Sequence, residues 1–235
     1  MGSEAARIWA LVPAAGAGKR MNSDRPKQYL KLGDRTVLEQ TLRCLIDAGT
    51  FAGIIVALGE QDAYWDSLPV SRQQRVHRVK GGRERVDSVL SGLDHLATIA
   101  APDDWVMVHD AARPCLTAHD IRHLKEQVEN DSVGGILALP LHDTLKRVEA
   151  DRISSTIDRS RIWRALTPQM FRLGLLRNAL IAAAQAGQLV TDEASAVELQ
   201  GLKPLIVEGR PDNIKITRPE DLALASYYLE QQRCE

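Results

Sequence analysis

Cysteine is scarce in this chain: Cys44, Cys115 and Cys234 are an odd number, far apart and without a CxxC pair. That spacing excludes a disulfide framework and a cysteine zinc site, and it fits thiols kept reduced in the cytoplasm. No charge of one sign dominates either, since 30 Lys and Arg face 31 Asp and Glu and leave a net charge of -1. With no global field to draw nucleic-acid phosphates, any anion binding must come from local clusters, and no nucleic-acid partner is expected. No apolar run approaches the ~18 residues that a membrane span needs. The opening MGSEAARIWA lacks the long apolar centre of a signal peptide, so a cytoplasmic protein without a membrane partner is expected. Internal repeats and low-complexity tracts are missing as well. A chain of 235 residues with 44% hydrophobic and 26% charged residues is ordinary for a globular protein, and it fits one domain over 1–235.

What is present is an alternation of short β-rich runs with longer helical patterns. IWALV (8–12) leads to VLEQTLRCLIDAG (37–49), in which Val37, Leu38, Thr41, Leu42, Leu45 and Ile46 share one helical face and Gly49 supplies the stop. The rhythm continues through strands at 53–58, 75–79, 105–109 and 134–140 and helices at 85–97 and 117–129. The strands are apolar nearly throughout, as expected when helices cover both sheet faces. The reading is therefore an α/β fold with a doubly wound, mostly parallel sheet.

The rhythm breaks at 141–161, LHDTLKRVEADRISSTIDRSR, where two short alternating runs flank a turn at 149–151. This pattern predicts a protruding β-hairpin arm. A hairpin alone is marginal in water, so it packs either on its own domain as a surface flap or on a second subunit. Beyond it the pattern gives helices near 172–186 and 191–199, a strand in PLIVEG (204–209) and a last helix. That helix is expected to open at Thr217-Arg-Pro-Glu220, which has capping-box spacing with proline in the first turn.

Three strand-end motifs and a basic patch near the first of them carry the chemistry. LVPAAGAGKRM (11–21) follows the first strand, and ligands of doubly wound sheets sit beyond the carboxyl ends of strands. Its small residues let backbone N–H groups approach phosphate oxygens, while Lys19 and Arg20 add charge. It is not a P-loop, because Pro13 stands where the first glycine belongs and Arg20 where the magnesium-binding hydroxyl belongs. It departs from the dinucleotide fingerprint too, since Lys19, Arg20 and Met21 follow Gly16-Ala-Gly18 where a third glycine is needed. Arg25-Pro-Lys27-Gln28-Tyr29 brings more cations within ten residues, which favours a polyphosphate between them. In His109-Asp110-Ala-Ala-Arg113-Pro, Asp110 faces the same crevice, and a lone carboxylate beside phosphates suits a magnesium ligand. Gly81-Gly82-Arg-Glu-Arg85-Val-Asp-Ser88 opens a helix with N–H groups able to read a base or hold an anion. His119 and His123 have zinc-pair spacing, but Asp120 stands where glutamate is usual and no third ligand is suggested. There is no G-x-S-x-G, and no cysteine has a histidine partner by motif.

Taken in order, PAAGAGKRM, RPKQYL, GGRERVDS, VHDAARP, TDEASA and NIKITRPEDL resemble the 2-C-methyl-D-erythritol 4-phosphate cytidylyltransferase family over about 8–229. The resemblance implies a Rossmann-like nucleotidyltransferase that moves CMP from CTP to methylerythritol phosphate, with Mg2+ as cofactor and pyrophosphate as product. It implies that Pro13, Ala14, Ala15, Gly16 and Gly18 wrap the CTP phosphates, while Gly82 and Ser88 read the cytosine. Arg20 and Lys27 match transition-state cations, and Asp110 matches the carboxylate near magnesium and the acceptor, with Ala111 and Arg113 beside it. Lys215, Thr167 and Thr191 match positions around the acceptor's phosphate or polyol. It further implies a homodimer with exchanged arms, in which Thr144 and Arg159 serve the partner's site; Ala17, where a bulkier residue is common, would alter loop packing more than chemistry. Alternatives are a cytidylyltransferase for another polyol phosphate such as ribitol 5-phosphate, a non-catalytic nucleotide-binding module and, more distantly, a dinucleotide-dependent oxidoreductase.

Overall fold

The computed structural model describes residues 6–16 and 25–232. In chain order its strands are β1 (Ile8–Pro13), β2 (Lys31–Leu32), β3 (Arg35–Thr36), β4 (Gly53–Leu58), β5 (Val76–Lys80), β6 (Trp105–Val108), β7 (Gly134–Pro140), β8 (Leu145–Glu149), β9 (Arg152–Ile157), β10 (Trp163–Arg172) and β11 (Leu205–Glu208). Its helices are α1 (Val37–Asp47), α2 (Arg85–Leu96), α3 (Ala118–Val128), α4 (Leu173–Gln185), α5 (Glu193–Glu198) and α6 (Glu220–Gln232). Among the described residues a seven-stranded sheet runs β11-β7-β10-β6-β1-β4-β5. Every neighbouring pair in it is parallel except those made by β10, which runs antiparallel to both β6 and β7. The chain leaves β1 toward β4 on one side while β6 lies on the other, so the loops after β1 and β6 diverge and open a crevice at this switch point.

Alternation along the strands feeds two apolar layers, which is why they read as continuous hydrophobic runs. Ala10, Val12, Ile54, Val56 and Met107 pack on one face with Leu38, Leu42, Ile121 and Leu124 of α1 and α3. Trp9, Leu11, Ile55, Val106 and Val108 pack on the other with Val89, Leu93, Leu176 and Leu180 of α2 and α4. A third cluster seats Ala225 and Leu229 of α6 against Leu32 and Val37. No described helix is long and apolar enough to cross a membrane.

The arm is a two-stranded hairpin of β8 and β9, whose turn at Ala150 and Asp151 has φ of 46° and 62°. Two consecutive left-handed residues give the tight connection that matches strand twist. On its surface Val148 and Ile153 lie directly opposite each other, at 56% and 65% exposure, an apolar pair left to solvent within one chain.

Three details differ from the sequence reading. β10 was not foreseen: Pro168 lies inside it, and proline normally marks a break because it cannot donate to a ladder. The pairing of β10 with β7 shifts register between Ala165 and Gln169, which takes Pro168 out of the ladder. The second difference is the small β2–β3 pair, whose strands of two residues each carry no periodicity. The third is the final cap, which Asp221 rather than Glu220 makes, its carboxylate accepting from the N–H groups of Thr217 and Arg218 and from the Thr217 hydroxyl.

α2 lies very close to β1, because a β-carbon on Gly92 would stand 2.2 Å from Leu11 Cδ1 and 3.2 Å from its Cγ. Gly92→Ala should therefore overpack this layer and destabilise the fold by about 1–3 kcal/mol despite the helical preference of alanine. Urea unfolding of the two proteins measures it, and an alanine variant at least as stable as the parent would contradict the packing argument.

Candidate active site

The loop after β1 starts where Ala14 N–H donates to the Ala57 carbonyl at 2.8 Å, and the buried Gln28 side chain donates to the Ala14 carbonyl at 2.8 Å. These bonds fix the backbone of residues 14–16 at the crevice. Opposite it, a β-carbon on Gly81 would meet the Ala15 side chain at 2.6 Å, so only glycine lets the loop after β5 approach so closely. Between them lies a cavity of about 310 Å³, lined by Pro13, Ala14, Ala15, Gly16, Gly82 and Ser88 together with Lys27, Asp110, Ala111 and Lys215. The Ser88 hydroxyl accepts from Gly82 N–H at 3.1 Å and donates to the Glu84 carbonyl at 3.1 Å, holding the turn that presents this wall. Gly18 and Arg20 lie outside the described residues.

A second cavity of about 230 Å³ adjoins the first, lined by Arg113, Leu166, Thr167, Gln169, Thr191 and Asp192. Arg85, Asp110 and Lys215 line both and form the wall between them. β10 builds the second cavity: running antiparallel, it brings its middle rather than its end to the carboxyl edge of β6. From there Gln169 grips the start of α5, donating to Asp192 at 2.8 Å and accepting from Ala194 N–H at 2.9 Å.

Lys215 is delivered by the stretch before α6. Arg113 Nη1 donates to the Asn213 carbonyl at 2.8 Å, Asn213 Nδ2 donates to the Thr167 carbonyl at 2.8 Å, and Ile216 N–H donates to the Ala112 carbonyl at 2.8 Å. Lys27 joins the same stretch, its Nζ donating to the Ile216 carbonyl at 3.1 Å.

The shared wall is an ionic chain. Asp110 Oδ2 lies 2.8 Å from Lys215 Nζ and 3.6 Å from Arg113 Nε, and Oδ1 accepts from Arg85 Nε at 3.0 Å. The other edge of Arg85 is forked onto Glu193 at 2.7 and 3.0 Å, the bidentate geometry that carboxylates favour. Burial alone would raise the Asp110 pKa, but Arg85, Lys215 and Arg113 outweigh it and hold the carboxyl well below its ordinary value. Burial likewise disfavours the charge on Arg85, and Glu193 followed by Asp110 outweighs it, so the guanidinium stays charged.

Behind Asp110 runs a neutral hydrogen-bond chain. Asp110 N–H donates to Thr167 Oγ1 at 3.1 Å; Thr167 and the fully buried His109 ring share a bond at Nδ1 of 3.0 Å; Nε2 lies 3.0 Å from the Arg113 carbonyl. A carbonyl only accepts, so Nε2 carries the proton, and Nδ1 takes the Thr167 hydroxyl's.

The structure thus gathers Lys27, Asp110, Ala111, Arg113, Thr167, Thr191 and Lys215 around two adjoining cavities. Thr144 and Arg159 line neither; both are exposed on the arm, where Arg159 Nη1 contacts the His142 carbonyl. Arg85, His109, Gln28 and Glu193 lie within the sequence motifs, but local spacing gives them no site role. Glu193 and Arg85 carried one usable signal, opposite charges at two predicted helix starts, but nothing in their spacing tells that they meet.

A mostly parallel sheet with a small-residue loop at its switch point and a cationic wall beyond defines the class: this is an α/β nucleotidyltransferase. Solved structures share the fold. A crystal structure of 4-diphosphocytidyl-2C-methyl-D-erythritol synthase matches with a TM-score of 0.84 and 40% identity over 97% of this chain and 100% of that one. That of the Francisella tularensis 2-C-methyl-D-erythritol 4-phosphate cytidylyltransferase matches at 0.83 and 39%, over 94% and 99%. The model of the 2-C-methyl-D-erythritol 4-phosphate cytidylyltransferase family matches residues 8–231, and the chain belongs to that family. The enzyme of that name from Ectopseudomonas mendocina (strain ymp) is 54% identical over 97% of this chain and 98% of its own. Its counterpart from Pseudomonas aeruginosa (strain UCBPP-PA14) is also 54% identical, over 94% and 95%.

His109 gives the fold a pH dependence. Burial lowers its pKa from 6.5 to about 4, so the folded chain keeps the ring neutral while the unfolded chain takes up a proton below its ordinary value. Stability is therefore fully present above about pH 6.5 and is lost as pH falls toward 4, by about 3 kcal/mol. His109→Gln should flatten this part of the stability profile, and a variant with the parent's slope from pH 6.5 to 4 would assign the dependence elsewhere.

Proposed function

We propose that this cytidylyltransferase carries out magnesium-dependent transfer of CMP from CTP to 2-C-methyl-D-erythritol 4-phosphate, releasing pyrophosphate, as one nucleotidyltransferase domain over 1–235 acting in the cytoplasm. The observation that carries this reading is the cationic wall shared by two adjoining cavities. The first suits a nucleotide, with backbone of residues 13–16 toward the phosphates and Gly82 and Ser88 toward the base. The second suits a small polyol phosphate, with Arg113, Thr167 and Thr191 around it.

The attacking oxygen belongs to a phosphate monoester, whose second pKa near ~6 leaves it largely a dianion at neutral pH. That oxygen forms a bond to the α-phosphorus while the bridge to the β-phosphate breaks, and pyrophosphate leaves with the electron pair. No proton must be removed, in keeping with a site whose one histidine is a neutral, enclosed prop. The obstacle is repulsion between the dianion and the triphosphate. Lys27 and Lys215 offset it from the described residues, and Arg20 joins them in this reading.

Magnesium would supply further charge to the triphosphate, whose oxygens and water are the hard ligands it prefers. Asp110 as arranged does not fit as its protein ligand, because three cations occupy the carboxylate and would oppose a fourth. We therefore assign Asp110 to anchoring the cations.

The arm fits a homodimer with exchange. A two-stranded hairpin exposing Val148 and Ile153 is marginal alone, and packing on a second copy would cover that pair and carry Thr144 and Arg159 to the partner's acceptor cavity.

Pyrophosphate release from CTP is expected with methylerythritol phosphate and magnesium, but not with CTP alone or with ribitol 5-phosphate. Lys27→Ala should lower kcat about a hundredfold, the effect of losing about 3 kcal/mol of transition-state stabilisation, with the fold retained by circular dichroism. Turnover at the parent rate would remove Lys27 from the mechanism.

The arm has its own test. Mixing Arg159→Ala chains with Lys27→Ala chains should restore part of the activity in heterodimers. Heterodimers demonstrated by mass spectrometry yet inactive would mean a site built from one chain.

A further inference from the structure

Glu193 is among the most enclosed acids in the chain, at 1% exposure, and it lines neither cavity, so it has no route to a substrate there. Its two oxygens take both terminal nitrogens of Arg85, whose remaining edge faces Asp110. Asp110 in turn holds the Lys215 ammonium. We propose that Glu193 is a positioning residue for cytidylyl transfer: through Arg85 and Asp110 it fixes Lys215 on the wall between the two cavities. The proposal rests on the reading above, in which Lys215 faces the reacting phosphates.

The geometry of a guanidinium explains why the acid is needed. Its five N–H donors lie in one rigid plane, so committing the fork to one carboxylate fixes where the Nε edge points. Arg85 lines both cavities, and without Glu193 its fork would be unsatisfied beside incoming phosphates. It would then turn onto a phosphate or onto both oxygens of Asp110, and the second choice displaces Lys215. Glu193 also sets the charge of the wall: Arg85, Arg113 and Lys215 against Asp110 and Glu193 leave one net positive charge. α5 is braced for the task, since Gln169 fastens the residues on either side of Glu193 to β10.

The alternative is that Glu193 only ties α5 to α2. A structural tie and a positioning residue differ in coupling, because residues acting as one unit lose activity non-additively. The experiment measures kcat and both KM values for the full-length chain carrying Glu193→Gln, Lys215→Met and the pair, with thermal unfolding of each. Glu193→Gln should lower kcat about thirtyfold without raising the KM for CTP, and should cost under about threefold more in the Lys215→Met background. Arg85→Lys, which keeps the charge but lacks the rigid planar fork that fixes one edge on Glu193 and the other on Asp110, should show the same pattern and serves if Glu193→Gln does not fold. Equal losses in both backgrounds, parent kinetics in Glu193→Gln, or loss of the folded state in both Glu193→Gln and Arg85→Lys would overturn the proposal. Parent turnover in Lys215→Met would overturn the assignment of Lys215 together with it, which separates the two failures.

Discussion

The site is organised around one buried negative charge. Asp110 sits at the end of β6 with 7% of its surface exposed, and an unpaired carboxylate there would be strongly destabilising. Arg85, Arg113 and Lys215 come from three separate stretches of chain to neutralise it. Those stretches must then end near one point: the start of α2, the loop after β6 and the segment before α6. The electrostatic demand of a single side chain thus couples the folding of distant segments to the assembly of a cationic surface.

The sheet makes that convergence possible. Parallel strands gather their carboxyl ends on one edge, which supplies the loops after β1, β5 and β6, but an all-parallel sheet would offer only strand ends there. β10 reverses direction and lays its middle along the end of β6, so that Thr167 meets His109 and Gln169 holds α5. The second cavity exists because of this reversal. His109, locked neutral between Thr167 and the Arg113 carbonyl, joins β10 to the Asp110 loop without adding charge to a site whose balance is set by ion pairs.

Much of this was legible in the sequence. Parallel strands buried on both faces announce themselves as continuous apolar runs, and 53–58 and 134–140 match β4 and β7 residue for residue. The hairpin turn was legible because polar alternation around Glu149, Ala150 and Asp151 has few other solutions. The loops carrying Ala14, Gly82 and Asp110 were legible from their position after strands. β10 was not, because Pro168 suppresses the strand signal and the register shift that accommodates it is a tertiary fact. Nor was the Glu193–Arg85 pair, since the two residues are 108 positions apart and local spacing carries no trace of such a contact.

The ionic wall also has a consequence for catalysis. A lysine waiting on a carboxylate attracts a ground-state phosphate less than a bare ammonium would, because part of its field is already offset by Asp110. It is, however, held in place before substrate arrives, so little reorganisation remains when charge builds on the phosphoryl oxygens. Binding both ground state and transition state tightly would add affinity without adding rate, whereas fixed, partly neutralised cations favour the state in which the charges crowd most. Anchoring the cations to buried acids therefore trades affinity for orientation, which suits the reaction proposed above, in which the nucleophile arrives already charged and repulsion is the chief obstacle.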